Sequence, residues 1–249
     1  MKYQSVVTRT LAAALLTLPT LALAYESNTW VLRAGAVLVE PDEDSSEVRV
    51  KTADIGPVAG ARVGVDSNTQ LGLTATYKFT DHLGLGILGA TPFEHEISGA
   101  GPTLGGIGKL GSTRHLPPTI SLEFFPLEPS YPIQPYLGIG INYTTFFHEK
   151  TDDNLTAVFQ LVADGALGAS APTVRDVDMK LDDSFGLAAE LGVDIMLSDR
   201  LLLNAAIWHV DIDTQAKLTG KTVEGINIDA KVDVDIDPMV YMISLGYRF

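Results

Sequence analysis

The sequence predicts an all-β protein, specifically an eight-stranded antiparallel transmembrane β-barrel with short periplasmic turns and long extracellular loops. Three observations favour this class: apolar residues alternate with a period of two, the first residues have the pattern of an export signal, and short and long connections alternate. The alternation is clearest in the last stretch, 237–249. There, every second residue is large and apolar or aromatic: Met239, Tyr241, Ile243, Leu245, Tyr247 and Phe249.

A period of two places these side chains on one face of a strand. Lipid solvates such a face in a membrane barrel, and aromatic side chains favour the membrane interface. Taken alone, this stretch could also be the last strand of a soluble β-sandwich. The rest of the chain has to distinguish between a membrane barrel and a sandwich.

Residues 1–24 have the three parts of a secretory signal peptide. Lys2 and Arg9 form a basic start, residues 11–23 are apolar, and residues 22–24 match the A-x-A cleavage pattern. An uncleaved anchor is the alternative, but the apolar run is short for a span and contains Pro19. We therefore expect a cleaved signal peptide at 1–24 and one outer-membrane β-barrel domain at 25–249.

The composition argues against several other classes. Cysteine is absent, so neither a disulfide framework nor cysteine chemistry is expected. Although 46% of the residues are hydrophobic, no segment after the signal approaches the ~18 consecutive apolar residues of a helical span. The net charge of −14 argues against a nucleic-acid partner, because binding to phosphates needs a basic surface.

The alternation predicts strands one to eight, joined by alternately short and long connections. They are expected at 28–40, 69–80, 83–97, 112–125, 133–147, 182–197, 201–217 and 229–249. Short turns are expected at 81–82, 126–132 and 198–200, and long loops at 41–68, 99–111, 149–179 (in which 155–163 can form a short helix) and 218–228. The sets predicted to face lipid include Phe93 on strand three and Trp208, Val210 and Ile212 on strand seven.

Several segments resemble the OmpW family, and in particular its OprG type. They are NTQLGLTATY (68–77), ATPFEH (90–95), HLPPT (115–119), QPYLGIGINYTTFF (134–147), DSFGLAAELGVD (183–194), WHVDIDT (208–214), KVDVDIDP (231–238) and the terminal GYRF. The chain departs from the family at His209, where many members carry an aromatic, and at Met239, where many have Trp. The resemblance implies a barrel with an apolar channel that admits small hydrophobic molecules passively and releases them sideways into the bilayer.

The predicted lumen is narrow and largely apolar. Side chains just fill the interior of an eight-stranded barrel, so an open aqueous pore is not expected. A narrow apolar pocket suits an apolar ligand, because burying that ligand leaves no polar group unsatisfied. The alternative for the glycines of this set is that they only accommodate strand curvature. The predicted lumen residues are Val37, Val39, Leu88, Ala90, Gly138, Gly140, Asn142, Gly186, Ala188, Val240 and Met242.

Charged side chains are also predicted to point inward, near the turn end of their strands: Arg33, Glu123, Glu190, Asp194 and Arg248. Unpaired ions at such positions are costly, so we expect a paired network. It either plugs the periplasmic end or fixes packing and strand register, and one network can do both.

Prolines mark a candidate lateral opening. Pro92 lies in strand three, and Pro117 and Pro118 lie in strand four. Proline has no N–H to donate to a strand ladder, and the bilayer offers no water in its place. The prolines therefore predict an opening between these strands; a bulge that only shapes the rim is the alternative.

The remaining candidates are weaker. The acidic loops could bind divalent cations that bridge to lipopolysaccharide phosphates, but solvated rims without a specific site are the favoured interpretation. His95 and His115 face each other across the strand three/four hairpin but lack further ligands, and Ser112 with His115 does not make a catalytic triad. We therefore predict no metal, no cofactor and no enzymatic activity.

The predicted partners are membrane lipids, lipopolysaccharide, small hydrophobic ligands and the outer-membrane barrel assembly machinery. Tyr247 and Phe249 are the predicted assembly signal at the end of the chain. Two other functions stay open at this point: a structural or host-contacting barrel that acts through its extracellular loops, and a channel for small polar solutes.

Overall fold

The computed structural model describes residues 27–168 and 171–249 of the 249-residue chain. The predicted signal peptide at 1–24 lies outside the described residues. The strands are β1 (Thr29–Glu40), β2 (Asp44–Ser45), β3 (Arg49–Val50), β4 (Gly56–Pro57), β5 (Arg62–Val65), β6 (Asn68–Lys78), β7 (Leu83–Ala90), β8 (Phe93–Ala100), β9 (Lys109–Leu116), β10 (Thr119–Phe124), β11 (Ile133–Thr151), β12 (Val174–Leu181), β13 (Ser184–Met196), β14 (Leu201–Val210), β15 (Asp213–Thr222), β16 (Asn227–Asp235) and β17 (Met239–Arg248). The helices are a 3-10 turn (Thr52–Asp54), α1 (Gly101–Leu104) and α2 (Asp153–Leu167).

Eight of these strands form a closed antiparallel barrel, as the sequence predicts. The order around it is β1, β6, β7, β10, β11, β13, β14 and β17. The first and last strands close the ring, with register pairs from Val31↔Arg248 to Glu40↔Met239. Closure leaves no sheet edge, so the backbone polar groups are satisfied inside the membrane.

The outer face of the barrel is apolar, which follows from the period-two alternation. Ile139, Phe185 and Ile243, from three different strands, are 71%, 68% and 68% exposed. In a soluble protein such a belt would remain unburied, whereas lipid solvates it here. Within the described residues, no helix is both long and apolar enough to cross a membrane.

Beyond the barrel, the strands continue into a structured cap on the predicted extracellular side. One cap sheet pairs β5, β8, β9 and the outer part of β11, and the other runs β12, β15, β16, β3 and β4, with β2 on β16. Helix α2 begins after Asp152, whose side chain accepts a hydrogen bond from the Asn154 N–H at 3.1 Å. Leu155 and Phe159 of α2 are buried in a second apolar core together with Val177 and Ile228.

The predicted long loops are therefore more ordered than expected. Segment 149–179 contains α2 and most of β12, and the predicted loop 218–228 is mostly strand. The short helix predicted at 155–163 is confirmed as part of α2, and parts of β15 and β16 were expected as strand. The alternation missed β12, which is interrupted by charged residues such as Arg175, Asp176 and Asp178.

Four predicted orientations are wrong. Phe93 is buried rather than lipid-facing, because the chain breaks at Thr91 and Pro92 between β7 and β8 and resumes on the opposite face. Trp208, Val210 and Ile212 are also buried, each 2% exposed. The lipid-facing residues of β14 are those of the other parity: Leu201, Leu203, Ala205, Ile207 and His209.

Candidate lumen and lateral opening

An ion pair lies at the centre of the barrel floor. The Arg33 guanidinium donates to the Asp194 carboxylate through Nε (2.9 Å) and Nη2 (2.5 Å), and both side chains are buried. Arg33 Nη1 also donates to Thr76 Oγ1 at 2.8 Å. Asn204 Nδ2 donates to Asp194 Oδ1 at 2.8 Å. The pair is therefore embedded in further hydrogen bonds, as a buried ion pair requires.

Two more carboxyl groups join this floor. Thr76 Oγ1 donates to Glu123 Oε1 at 3.1 Å, and Glu190 is hydrogen-bonded by Trp208 and Ser121. Arg248, the fifth predicted member, pairs with Val31 in register, but its buried Nη1 has no hydrogen-bond partner among the described residues. We call Arg33, Glu123, Glu190 and Asp194, with their hydrogen-bond partners, the floor cluster.

Above and around the floor cluster, large side chains fill the lumen. Tyr136 is 1% exposed, and its hydroxyl accepts a hydrogen bond from Asn204 Nδ2 at 3.0 Å. The Arg33 guanidinium lies 5.4 Å from the centre of the Tyr136 ring. Trp208, which we expected to face lipid, occupies the lumen beside Glu190.

The inward glycines lie where neighbouring groups approach closely. A Cβ at Gly138 would lie 2.9 Å from Glu190 Oε2, and one at Gly140 would collide with the Ile120 carbonyl oxygen. A Cβ at Gly186 would likewise collide with the Asp211 carbonyl oxygen. Ala188 and Met242 are buried in the main apolar core.

Two cavities lie above this filled region. The lower one, of about 20 Å³, is lined by five of the predicted lumen residues, Val37, Val39, Leu88, Ala90 and Val240, together with Gly89, Phe93, His115, Pro117, Thr119, Val210, Ile212 and Pro238. The upper one, of about 60 Å³, lies between the two cap sheets and is lined mainly by aliphatic residues. Val39, His115, Ile212 and Pro238 line both cavities, so the two lie next to each other. The upper cavity was not predicted, although most of its walls come from the outer ends of segments expected as strands, for example His95, Ala216 and Val232.

The ladder between strands three and four is interrupted beside the lower cavity. Pairing between β7 and β10 ends at Leu88↔Thr119 and resumes between β8 and β9 at Phe93↔His115. The interval contains all three predicted prolines, Pro92 on one side and Pro117 and Pro118 on the other. We call this interval the ladder gap.

Asn142 holds one edge of the ladder gap. Its side-chain amide donates to the carbonyl oxygens of Pro117 (3.0 Å) and Pro118 (3.2 Å) and to Thr119 Oγ1 (3.0 Å). Thr144 Oγ1 in turn donates to Asn142 Oδ1 at 2.7 Å. Asn142, predicted as a lumen residue, thus fixes the proline edge to β11.

Charged residues of the cap form ion pairs and one cluster of carboxylates. Lys217 pairs with Asp182 and Lys221 with Asp178. Three carboxylates, from Asp211, Asp213 and Asp237, lie together near the barrel rim. Burial, with Asp235, Asp211 and Asp237 nearby, raises the pKa of Asp213.

At the periplasmic end, the rings of Tyr247 and Phe249 lie 4.9 Å apart on the lipid-facing side.

Comparisons with a family model, with related sequences and with solved structures all point to one family, and they cover nearly the whole described chain. A model of the OmpW family matches residues 26–249. Outer membrane protein W of Vibrio cholerae is 40% identical over 227 residues, which cover 91% of each chain. A Pseudomonas aeruginosa protein named for a dibenzothiophene metabolism operon is 27% identical over 227 residues, or 90% of each chain.

Among solved structures, the crystal structure of OprG from Pseudomonas aeruginosa matches with a TM-score of 0.77 and 40% identity. The match covers 91% of this chain and 98% of OprG. These relatives place the protein in the outer membrane of a Gram-negative bacterium, in contact with its lipids.

Proposed function

Because the chain belongs to the OmpW family of outer-membrane barrels, which is not an enzyme family, we propose that it admits small hydrophobic molecules passively and releases them sideways into the bilayer. The observation that carries this proposal is the ladder gap beside the apolar lower cavity. At about 20 Å³ the cavity has room for about one water, so its walls have to move apart to admit a solute, which then has the buried floor cluster beneath it and an interrupted strand ladder beside it.

The energetics favour the sideways route for an apolar solute. Passage through the floor would bring an apolar molecule against the Arg33–Asp194 pair and require those buried charges to separate. Passage through the ladder gap exchanges one apolar environment for another, because lipid lies outside. The name of the relative from the dibenzothiophene operon supports the same solute class, since dibenzothiophene is an apolar aromatic compound.

The remaining roles belong to the same proposal. The lumen residues above the floor guide the solute, the floor cluster stops straight-through flow, and Pro92, Pro117 and Pro118 keep the ladder gap unpaired. Tyr247 and Phe249 serve as the signal for the barrel assembly machinery, and the acidic cap faces lipopolysaccharide.

The first test is uptake into proteoliposomes that carry lipopolysaccharide in the outer leaflet. We expect toluene to enter faster than in protein-free vesicles, whereas glycerol, of similar size but polar, does not. Pro92→Ala restores an N–H to the strand and should slow toluene uptake while leaving folding intact. Pro135→Ala is the matched control, because Pro135 lies in β11 opposite Val193, away from the gap.

A second test closes the gap reversibly. The chain has no cysteine, so Ala90→Cys with Leu116→Cys introduces one thiol on each side of the gap and leaves its three prolines in place. A bifunctional methanethiosulfonate should stop toluene uptake, and dithiothreitol should restore it. Uptake that persists after complete cross-linking contradicts the lateral route. Uptake of glycerol alone would favour a polar channel, and uptake of neither would favour action through the cap.

A further inference from the structure

The cap carries an open apolar groove, which we call the cap groove. It has a volume of about 430 Å³ and lies between helix α2, helix α1 with the turn after it, the segment 48–61 and Ala230 of β16. None of the described residues that line it belongs to the eight barrel strands. The cap groove therefore lies beyond the lipid-facing belt, on the predicted extracellular side.

The wall of the cap groove is almost entirely hydrocarbon. Among the described residues that line it, Thr103 has the only polar side chain, and its Oγ1 donates to the Ala59 carbonyl oxygen at 2.7 Å. Two large apolar side chains of the wall are open to solvent, Leu161 (70% exposed) and Ile55 (41% exposed). An apolar concave surface in water gains free energy when an apolar molecule covers it.

Helix α2 explains why the groove stays open. Its residues Leu155 and Phe159 are buried in the second apolar core, whereas Leu161 remains exposed beside them. Leu161 and Gly165 are four residues apart, so they are neighbours on the helix surface, and the glycine adds no side chain. A Cβ at Gly165 would meet no atom within 4 Å, so nothing fills the groove at this position among the described residues.

The back of the cap groove and the upper cavity are two sides of one apolar layer. Phe159 and Ala230 line the groove, whereas Leu110, Leu155 and Leu218 line the upper cavity. All five are buried members of the second apolar core. A solute in the groove is therefore separated from the interior path by a layer of packed apolar side chains.

The cap groove differs from the interior cavities in size. At about 20 and 60 Å³, the two cavities have to widen before a ring can enter. A cavity of about 150 Å³ is enough for benzene, and the groove, at about 430 Å³, is nearly three times larger. Still larger grooves on the barrel wall are lined by lipid-facing residues such as Leu73 and Ile139, so lipid covers them.

We propose that the cap groove is the first binding site for apolar solutes of about two rings, which it captures from water before they move inward to the upper cavity. This inference rests on the proposed function and adds the capture site and the size class of the solute. The solute is a hydrocarbon without hydrogen-bonding groups, because the wall offers no free polar side chain to replace hydrogen bonds with water.

The cap groove suits a small solute better than a protein or a lipid. A stable protein interface covers about 800 Å² of each partner and is usually anchored by Trp, Tyr or Arg. None of these residue types is among the described residues that line the groove. Lipid acyl chains lie against the barrel strands, whereas the groove is built from cap segments.

The first test follows methyl resonances of the native protein in nanodiscs during a titration with naphthalene, with protein-free nanodiscs as the reference for partition into lipid. We expect saturable shifts at Ile55 and Leu161, with NOEs between these methyl groups and naphthalene. Shifts at Val37 and Val240 in the lower cavity should need at least about tenfold more naphthalene, because opening that cavity costs free energy that the open groove does not. NOEs from Leu161 to lipid acyl chains or to a second copy of the chain, in place of naphthalene, would overturn the proposal.

Variants assign the capture to the groove. Gly165→Phe places a ring in the open space, so it should abolish the naphthalene-dependent shift at Ile55. It should also raise the naphthalene concentration that half-saturates uptake by about fivefold or more. Ala157→Phe is the matched control, because it adds the same ring to an exposed position of α2 outside the groove, and it should behave as the native protein does.

A second variant guards against misfolding of the first. Leu161→Gln replaces an exposed side chain and leaves the second apolar core intact, so it should fold and should weaken naphthalene binding and uptake in the same direction. If Gly165→Phe does not fold, Leu161→Gln and the titration of the native chain decide by themselves.

The failures of the two proposals are distinguishable. Unchanged naphthalene binding and uptake in Gly165→Phe and Leu161→Gln would overturn the capture site but leave the hydrophobic channel standing. Saturable shifts at the groove without any uptake by the native protein would overturn the channel, while the groove would stand as a binding site.

Discussion

The two tryptophans of the chain report the inside and the outside of the barrel separately. Trp30 is 49% exposed and stacks on Tyr77 with ring centres 5.0 Å apart, whereas Trp208 is 2% exposed in the lumen. Brominated lipids should therefore quench the fluorescence of the Trp208→Phe variant, which retains Trp30. They should leave the Trp30→Phe variant almost unquenched, and the reverse pattern would contradict the orientation of β14.

The Arg33–Asp194 pair should be costly to break from one side only. Arg33→Met removes the guanidinium from the buried Asp194 carboxylate, and we expect a loss of about 3–5 kcal/mol in the free energy of unfolding. Urea unfolding in lipid vesicles measures the loss. The double variant Arg33→Met, Asp194→Leu should regain much of it; a double variant as unstable as the single one would argue against this account.

Whether a side chain points to lipid or to the lumen was predictable only where one face of the strand was clearly apolar. On β17, polar or small residues such as Ser244 and Gly246 separate the large ones, and that assignment is confirmed. On β14, apolar residues occupy both faces, as Ile207 and Trp208 illustrate. The pattern therefore could not show which of the two alternating sets of residues faces lipid. The sequence placed His95 opposite His115, and their ring centres lie 4.9 Å apart, but it gave no sign of the contact between His95 and the Asp66 carbonyl oxygen across the cap.

At the scale of elements, the β8–β9 hairpin should weaken in acid. The folded pKa of His115 lies near 3, below the value of about 6.5 for an unfolded histidine. The hairpin stability that His115 contributes is therefore complete above pH 6.5 and falls below it by about 1.4 kcal/mol per pH unit, until the pH reaches the folded pKa. His95 acts in the same direction.

Hydrogen exchange of the β8 and β9 amides measures this effect. After correction for the intrinsic rate, local opening should be roughly tenfold more frequent for each pH unit lost below 6.5. Arg114 keeps the pKa of Glu94 low, so the exposed pair on the same hairpin should not contribute at pH 5. A His115→Phe variant with the full pH dependence would contradict the explanation.

The prolines in the sequence showed where the long strands break. They did not show that the side chains after a break change from one face of the barrel wall to the other. Pro92, Pro117 and Pro118 marked the place correctly, since proline cannot complete a ladder. Their consequence for Phe93 depends on the backbone path through Thr91, which alternation alone does not encode. Pairing among the short cap strands depends on contacts far apart in sequence, such as Ala230↔Val50, and these have no local pattern.

For the whole molecule, the filled floor predicts a barrel that does not conduct ions. Single-channel recordings of the native protein in a planar bilayer should show no steady conductance. Trp208→Ala removes a large buried side chain beside Glu190 and should produce a measurable conductance. Trp30→Ala, on the outer face, is the matched control and should remain silent; conductance in the native protein would contradict a closed floor.

The barrel, its strand number and its location were predictable at this scale, because they follow from alternation, connection lengths and family resemblance. The cap was predictable only in part. The helix at 155–163 and strands up to 217 and from 229 were expected, but no pattern showed that they pack together around α2.

The small volume of the two cavities has a kinetic consequence. At about 20 and 60 Å³, both cavities have to widen to admit a molecule of the size of toluene. Solutes should therefore pass one at a time, unlike in a wide pore, where flux rises in proportion to concentration. Solute flux should therefore level off as concentration increases, and two different solutes should compete with each other. In this respect the barrel should behave as a saturable carrier that has no moving domains.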